Sequence, residues 1–149
     1  MIEKKLQIFI DGIVNYFNHT SDKSIEVGTP YLLTPEETVP GDYTGVIAIS
    51  GAYNGCCYFT APSILLKHLV MSIGEKDTSE AMLLDAAGEV ANTLSGNARK
   101  ELGSDFIISV PTVVKGVHNI MDVPETQRIY AIPIHWHTYK ALLGVCLLD

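Results

Sequence analysis

Within the stretch Leu83 to Arg99, a carboxylate and a carboxamide stand three residues apart, at Glu89 and Asn92. On a helix, positions i and i+3 are surface neighbours, so the two side chains present a charged acceptor and a mixed donor and acceptor to one point in space. The pattern supports a helix: at about 100° per residue, Leu83, Ala87, Val90, Ala91, Leu94 and Ala98 fall on one side, and Asp85, Glu89, Asn92, Gly96 and Arg99 on the other. Gly88 and Gly96 flank the pair, and each glycine within a helix costs about 1 kcal/mol relative to alanine. Small residues beside two polar ones let another backbone come close, as a docking surface with a reactive centre requires. The same residues also suit a plainer arrangement, with both glycines serving packing inside the protein and Glu89 and Asn92 on a solvated face.

Other residues with chemical potential are sparser. His135 and His137 alternate on one predicted strand face, a spacing that metal sites use, but no third ligand follows from the neighbouring sequence. Trp136 between them would point the other way, into the core or an interface. His68 and His118 stand alone, with no catalytic role expected. Cys56 and Cys57 are adjacent and so face opposite sides of a strand, Cys146 belongs to a distant strand, and no CxxC spacing exists; the expectation is buried thiols without a disulfide or metal. Asn18-His19-Thr20 matches a glycosylation triplet, which carries no meaning without an export signal.

Composition narrows the function classes. The 149 residues suit one domain spanning 1–149, and 47% apolar against 18% charged residues supplies a core. Ten Lys and Arg against 17 Asp and Glu give a net charge of -7, which disfavours nucleic acid and anionic membrane as partners. The apolar runs Ser63–Ile73 and Ala141–Leu148 fall short of the roughly 20 residues of a spanning helix, and the N-terminus lacks a secretory pattern. A soluble, cytoplasmic protein is expected.

The elements that must position the pair are readable in outline. Leu6, Phe9, Ile10, Ile13, Val14 and Phe17 recur at helical spacing from Ile2 onward. Residues 24–33 read as a strand and Thr34–Asp42 as a loop with Pro35, Pro40 and Gly41. Tyr43–Gly51 and Cys56–Thr60 read as strands joined by a hairpin turn at Asn54-Gly55. A helix starts after Pro62 and ends near Gly74. Thr78 or Ser79 caps a long helix that runs to about Leu102, where Gly103 stops it. Phe106–Val110, Val113–Val117, Arg128–His137 and Ala141–Leu148 are strand-like, the last two as an antiparallel pair, with Pro111 and Pro133 at interruptions or edges. This order predicts an α+β fold, an antiparallel β-sheet flanked by helices with one long motif-bearing helix.

Gly88-Glu89-Val90-Ala91-Asn92 followed by Ser95-Gly96-Asn97-Ala98 resembles the signature helix of the CheX/CheC/FliY family, specifically the CheX-type phosphatases of bacterial chemotaxis. The motif is Glu-x-x-Asn with a trailing Gly-Asn, and Glu89, Asn92, Gly96 and Asn97 match it in place. The order of elements agrees over most of the chain; only this helix is specific. The resemblance implies a CheC-like/CheX-like fold and hydrolysis of the aspartyl phosphate of a CheY-type response regulator. Asn92 would orient the attacking water and Glu89 would pair with the receiver's active-site lysine, with Asp85, Gly88, Gly96 and Asn97 on the partner-binding surface. A carboxamide is a poor base, but phosphoryl transfer has a loose transition state that asks chiefly for positioning. No cofactor or metal is expected on this chain, since Mg2+ would sit in the receiver. The resemblance also implies a homodimer joined through sheet edges, consistent with apolar C-terminal strands that would leave a sticky edge if unpaired.

Two-site members of the family repeat the signature in their first helix. Here Asp11-Gly12-Ile13-Val14-Asn15 has Asn15 but Gly12 where the glutamate would fall, so a single site is expected. The alternatives are a non-catalytic receiver-binding adaptor of the chemotaxis and flagellar switch system using the same helix, and a dimeric structural protein whose polar stripe is merely solvated.

Overall fold

The structure, a computed structural model, describes residues 2–20, 25–34, 41–116 and 128–148. Helix α1 spans Ile2–Asn18 and buries Leu6, Phe9, Ile13 and Phe17 of the apolar stripe that its spacing predicts, while Ile10 and Val14 of that stripe are half-buried at its margin. Strands β1 (Ile25–Val27) and β2 (Tyr31–Leu32) replace the single strand expected over 24–33. Then come β3 (Tyr43–Gly51), β4 (Asn54–Ala61), α2 (Ser63–Ser72), α3 (Glu80–Leu102), β5 (Phe106–Ile108), β6 (Thr112–Lys115), β7 (Tyr130–Trp136) and β8 (Tyr139–Leu148). Residues 35–40 of the expected loop, Val117 and His118 lie outside the described residues.

The strands form one antiparallel sheet in the order β1-β7-β8-β4-β3-β5, with β2 continuing the pairing on β7 and β6 that on β3. Proline explains both interruptions. Pro111 lies between β5 and β6, which pair with successive parts of β3. Pro133 pairs with Leu142 on one side, while on the other Gly28 N–H donates to its carbonyl at 2.9 Å, in the gap between β1 and β2. Thus Pro133, on a strand with partners on both sides, sits where a missing N–H is tolerated.

The hairpin between β3 and β4 turns at Ala52-Tyr53 instead of Asn54-Gly55, which lies inside β4. Gly51, at φ 90°, takes the left-handed conformation and makes the turn, and Ala52 N–H donates to the Asp105 carbonyl at 2.9 Å. Gly55 is instead needed for close approach: a Cβ there would meet the Cys146 carbonyl oxygen at 1.7 Å.

All three helices share one core cluster with the sheet, built from Ile47, Ile49, Cys57, Phe59, Ile132, Ile134, Leu143 and Val145 on the strands. Trp136 is fully buried there, 5.5 Å from the Phe17 ring. Alternation sends Tyr58, Ala131, Leu142 and Cys146 to the opposite sheet face, where they form a second, smaller cluster. The C-terminal strands are not an edge: β8 is paired by β7 and β4, and the outer strands are β1–β2 and β5–β6. Exposed apolar side chains lie at those outer strands, Leu32 on one and Ile107 and Val110 by the other.

Candidate functional site

Helix α3 carries the candidate pair, and its start and stop follow local rules. Ser79 caps it, its hydroxyl accepting from Met82 N–H at 3.4 Å, and Gly103 ends it with an N–H bond to the Arg99 carbonyl. The expected inward set, Leu83, Ala87, Val90, Ala91, Leu94 and Ala98, is buried, together with Gly88 and Ser95.

Two glycines seat the helix. Gly45 of β3 lies directly beneath it, where an added Cβ would meet the Ala87 carbonyl oxygen at 2.4 Å and the Gly88 Cα at 2.7 Å. Gly88 in turn is covered by the strand that follows Pro111, since a Cβ there would meet Val113 Cγ1 at 2.8 Å and Pro111 Cβ at 3.4 Å. Gly88 is therefore buried and in contact with this chain's own residues. Gly96 differs, having nothing within 4 Å of an added Cβ. Gly96→Ala is expected to raise stability by about 0.5–1 kcal/mol, the difference in helix propensity, read as a higher denaturation midpoint.

Along the outward stripe, Asp85, Glu89 and Arg99 are exposed, and Asn92, Gly96 and Asn97 are half-buried. Arg99 ties the C-terminal end to the sheet, its Nε donating to the Phe106 carbonyl at 3.2 Å. Among the described residues neither the Glu89 nor the Asn92 side chain is engaged in a hydrogen bond, which leaves both polar groups available outward. The other flank is α1. Gly12 faces Asn97, with an added Cβ 3.7 Å from Asn97 Cβ, and Tyr16 is close enough to Glu89 to feel its charge. Burial first and the Glu89 carboxylate second push the Tyr16 hydroxyl up to about 12.

Glu89 and Asn92 line none of the three principal concavities. A groove of about 410 Å³ between α1 and α3 is lined by Asp11, Gly12, Asn15, Asn97, Lys100 and Glu101, so Asn97 turns toward that groove, off the stripe's centre. A pair outside these three concavities has none of them with which to enclose a small molecule. It suits a substrate that supplies its own concavity.

The histidines fall differently from expectation. His135 is exposed on β7, whereas β7 ends at Trp136 and His137 adopts φ 57° in the turn. That conformation takes His137 out of strand alternation and stacks it on His68 at 4.4 Å, so the two histidines of β7 and its turn do not share a face. His68 is not isolated either, since its Nδ1 lies 3.2 Å from the Tyr139 hydroxyl. Among the described residues no group of three His, Cys, Asp or Glu gathers to hold a metal. Sequence reading missed Gly45, Tyr16 and Val113 as supports of the site; a glycine inside the β-branched run of β3 is the one signal that pointed to a close approach.

Comparison with known proteins fits this architecture. The fold is shared with chemotaxis proteins of the CheX type. CheX from Vibrio vulnificus superposes with a TM-score of 0.79 at 21% identity, covering 97% of this chain and 99% of that one. A putative chemotaxis protein from Desulfovibrio vulgaris Hildenborough gives 0.78 at 27% identity, covering 97% of each chain. CheX from Borrelia burgdorferi, solved in a complex with CheY, BeF3 and Mg2+, gives 0.80 at 15% identity, again covering 97% of each. The family model of the chemotaxis phosphatase CheX matches residues 43–135, and the chain belongs to that family. No significant match is found among curated protein sequences. No helix among the described residues is long and apolar enough to cross a membrane.

Proposed function

We propose that this protein hydrolyses the aspartyl phosphate of a CheY-type response regulator, with Glu89 and Asn92 inserted into the receiver's phosphorylation pocket. The observation that carries this reading is the outward placement of both side chains, adjacent on α3 and outside the three concavities described above. Such a pair needs a partner that brings the pocket, and the Borrelia CheX was solved with CheY, BeF3 and Mg2+.

The chemistry follows from the groups. The Asn92 carboxamide oxygen accepts a hydrogen bond from a water and holds its lone pair in line with the phosphorus–oxygen bond of the acyl phosphate. The new bond forms between water oxygen and phosphorus, the bond to the aspartate oxygen breaks, and the carboxylate is restored. The water's protons leave with phosphate and solvent, so no strong base is required of Asn92. Glu89 pairs with the receiver's lysine and fixes the register of docking. Asp85, Gly96 and Asn97 extend the docking surface, and Gly88 serves from beneath by holding α3 against Pro111 and Val113. Magnesium enters with the receiver, and this chain contributes no cofactor. The protein works in the cytoplasm, as a homodimer joined through outer strands of the sheet.

Glu89→Ala tests the docking half of this assignment. The concentration of phosphorylated receiver needed for half-maximal dephosphorylation is expected to rise at least about tenfold, since a desolvated lysine loses its partner. The salt dependence of binding should shrink with it. An unchanged half-maximal concentration would remove Glu89 from the interface.

A further inference from the structure

Cys56 and Cys146, far apart in sequence, are brought together by the pairing of β4 with β8, in which they stand directly opposite each other. Directly opposed residues project to the same sheet face. Both belong to the small cluster turned away from the helices, beside Tyr58, Ala131 and Leu142. Opposed residues of an antiparallel pair have Cα atoms about 4.5–5.5 Å apart, within the roughly 4.4–6.8 Å that a disulfide bridges. Directly opposite each other on one face, the two thiols are close enough for each to be the first influence on the other's acidity. Cys56 is half-buried and gives solvent a way in, whereas Cys146 is fully buried behind it. Cys57 does not compete: it points to the helix side, into the main core.

We propose that Cys56 and Cys146 form a reversible modification site, a dithiol that a hydroperoxide oxidises to an intrachain disulfide joining β4 to β8. One thiolate attacks the peroxide oxygen, giving a sulfenic acid and hydroxide. The second thiol then displaces the sulfenic oxygen, the sulfur–sulfur bond forms, and water leaves. In sum, two thiols and one hydrogen peroxide yield one disulfide and two waters. The resolving thiol stands directly opposite, so the sulfenic acid is captured before further oxidation. Cys56 opposite it lowers the Cys146 thiol from its ordinary value, against the effect of burial. Small-molecule thiols restore the dithiol by exchange.

The full-length protein, folded and reduced, would be treated with hydrogen peroxide, quenched, unfolded and alkylated with iodoacetamide. The expected result is a chain that takes up one carbamidomethyl group, at Cys57, where the reduced control takes up three, and a linked Cys56–Cys146 peptide lacking the two thiol hydrogens. Dithiothreitol before the alkylation should return all three cysteines to thiols, so that all three are alkylated. Cys57→Ser should still lose the two hydrogens, and Cys56→Ser should not. Three alkylated cysteines after peroxide, oxygen added to Cys56 without a link, or disulfide-joined chains would each overturn the proposal. The wild-type peptide map decides the question even if a variant folds poorly.

Discussion

Asn92→Ala is expected to reduce the acceleration of receiver dephosphorylation at saturating protein by at least about a hundredfold while leaving receiver binding within a few fold. Asn92 is half-buried on α3, next to exposed Glu89, and in the proposed reaction its only task is to hold the water. Misplacing an attacking group by about 1 Å costs on the order of a hundredfold; deleting the group that holds it should cost no less. The contacts that dock the receiver come from Glu89 and the rest of the stripe and survive the change. Single-turnover phosphate release, measured beside binding to a receiver carrying a fluoroberyllate mimic, separates the two effects. A parallel loss of binding and rate would recast Asn92 as a docking residue.

Gly45→Ala is expected to have the largest effect on stability. The added methyl would fall 2.4 Å from the Ala87 carbonyl oxygen and 2.7 Å from the Gly88 Cα. These are backbone atoms of α3, so no side chain can turn aside to make room. Either β3 bends away from its partners β4 and β6 or the helix lifts, at a cost of about 2–3 kcal/mol. For a chain of this size that corresponds to a melting temperature lower by roughly 4–12 °C. Because the obstruction lies one residue from Glu89, phosphatase activity should fall even at temperatures where the variant stays folded. Thermal unfolding and receiver dephosphorylation on the same preparation check both halves.

Features of this molecule set by neighbours in sequence were legible before the structure. The buried stripe of α1, the Ser79 cap, the stop at Gly103 and the outward side of α3 bearing Asp85, Glu89 and Asn92 all follow from spacing and local conformation. What escaped was set by contacts across the sheet. Asn54-Gly55 carries a strong turn signature, yet Gly55 is pressed against the Cys146 carbonyl and the turn passes to Gly51. The strand expected over 24–33 breaks where Gly28 meets Pro133, a residue of β7. Cys146 stands opposite Cys56 although their strands are distant in sequence, and the register between β4 and β8 that sets this cannot be read from either strand alone. Gly88 shows the same limit inside the motif itself. Its spacing suited an approaching partner, but the residues that approach it are Pro111 and Val113 of its own chain.

The most direct measurement is the decay of a phosphorylated CheY-type receiver, with magnesium present, against increasing concentrations of the wild-type protein. The decay rate is expected to rise with concentration and then saturate, as it does when one surface both binds the receiver and positions the water. Decay that stays at the receiver's own rate, at concentrations where binding is independently observed, would contradict the phosphatase assignment and leave α3 as a docking surface alone.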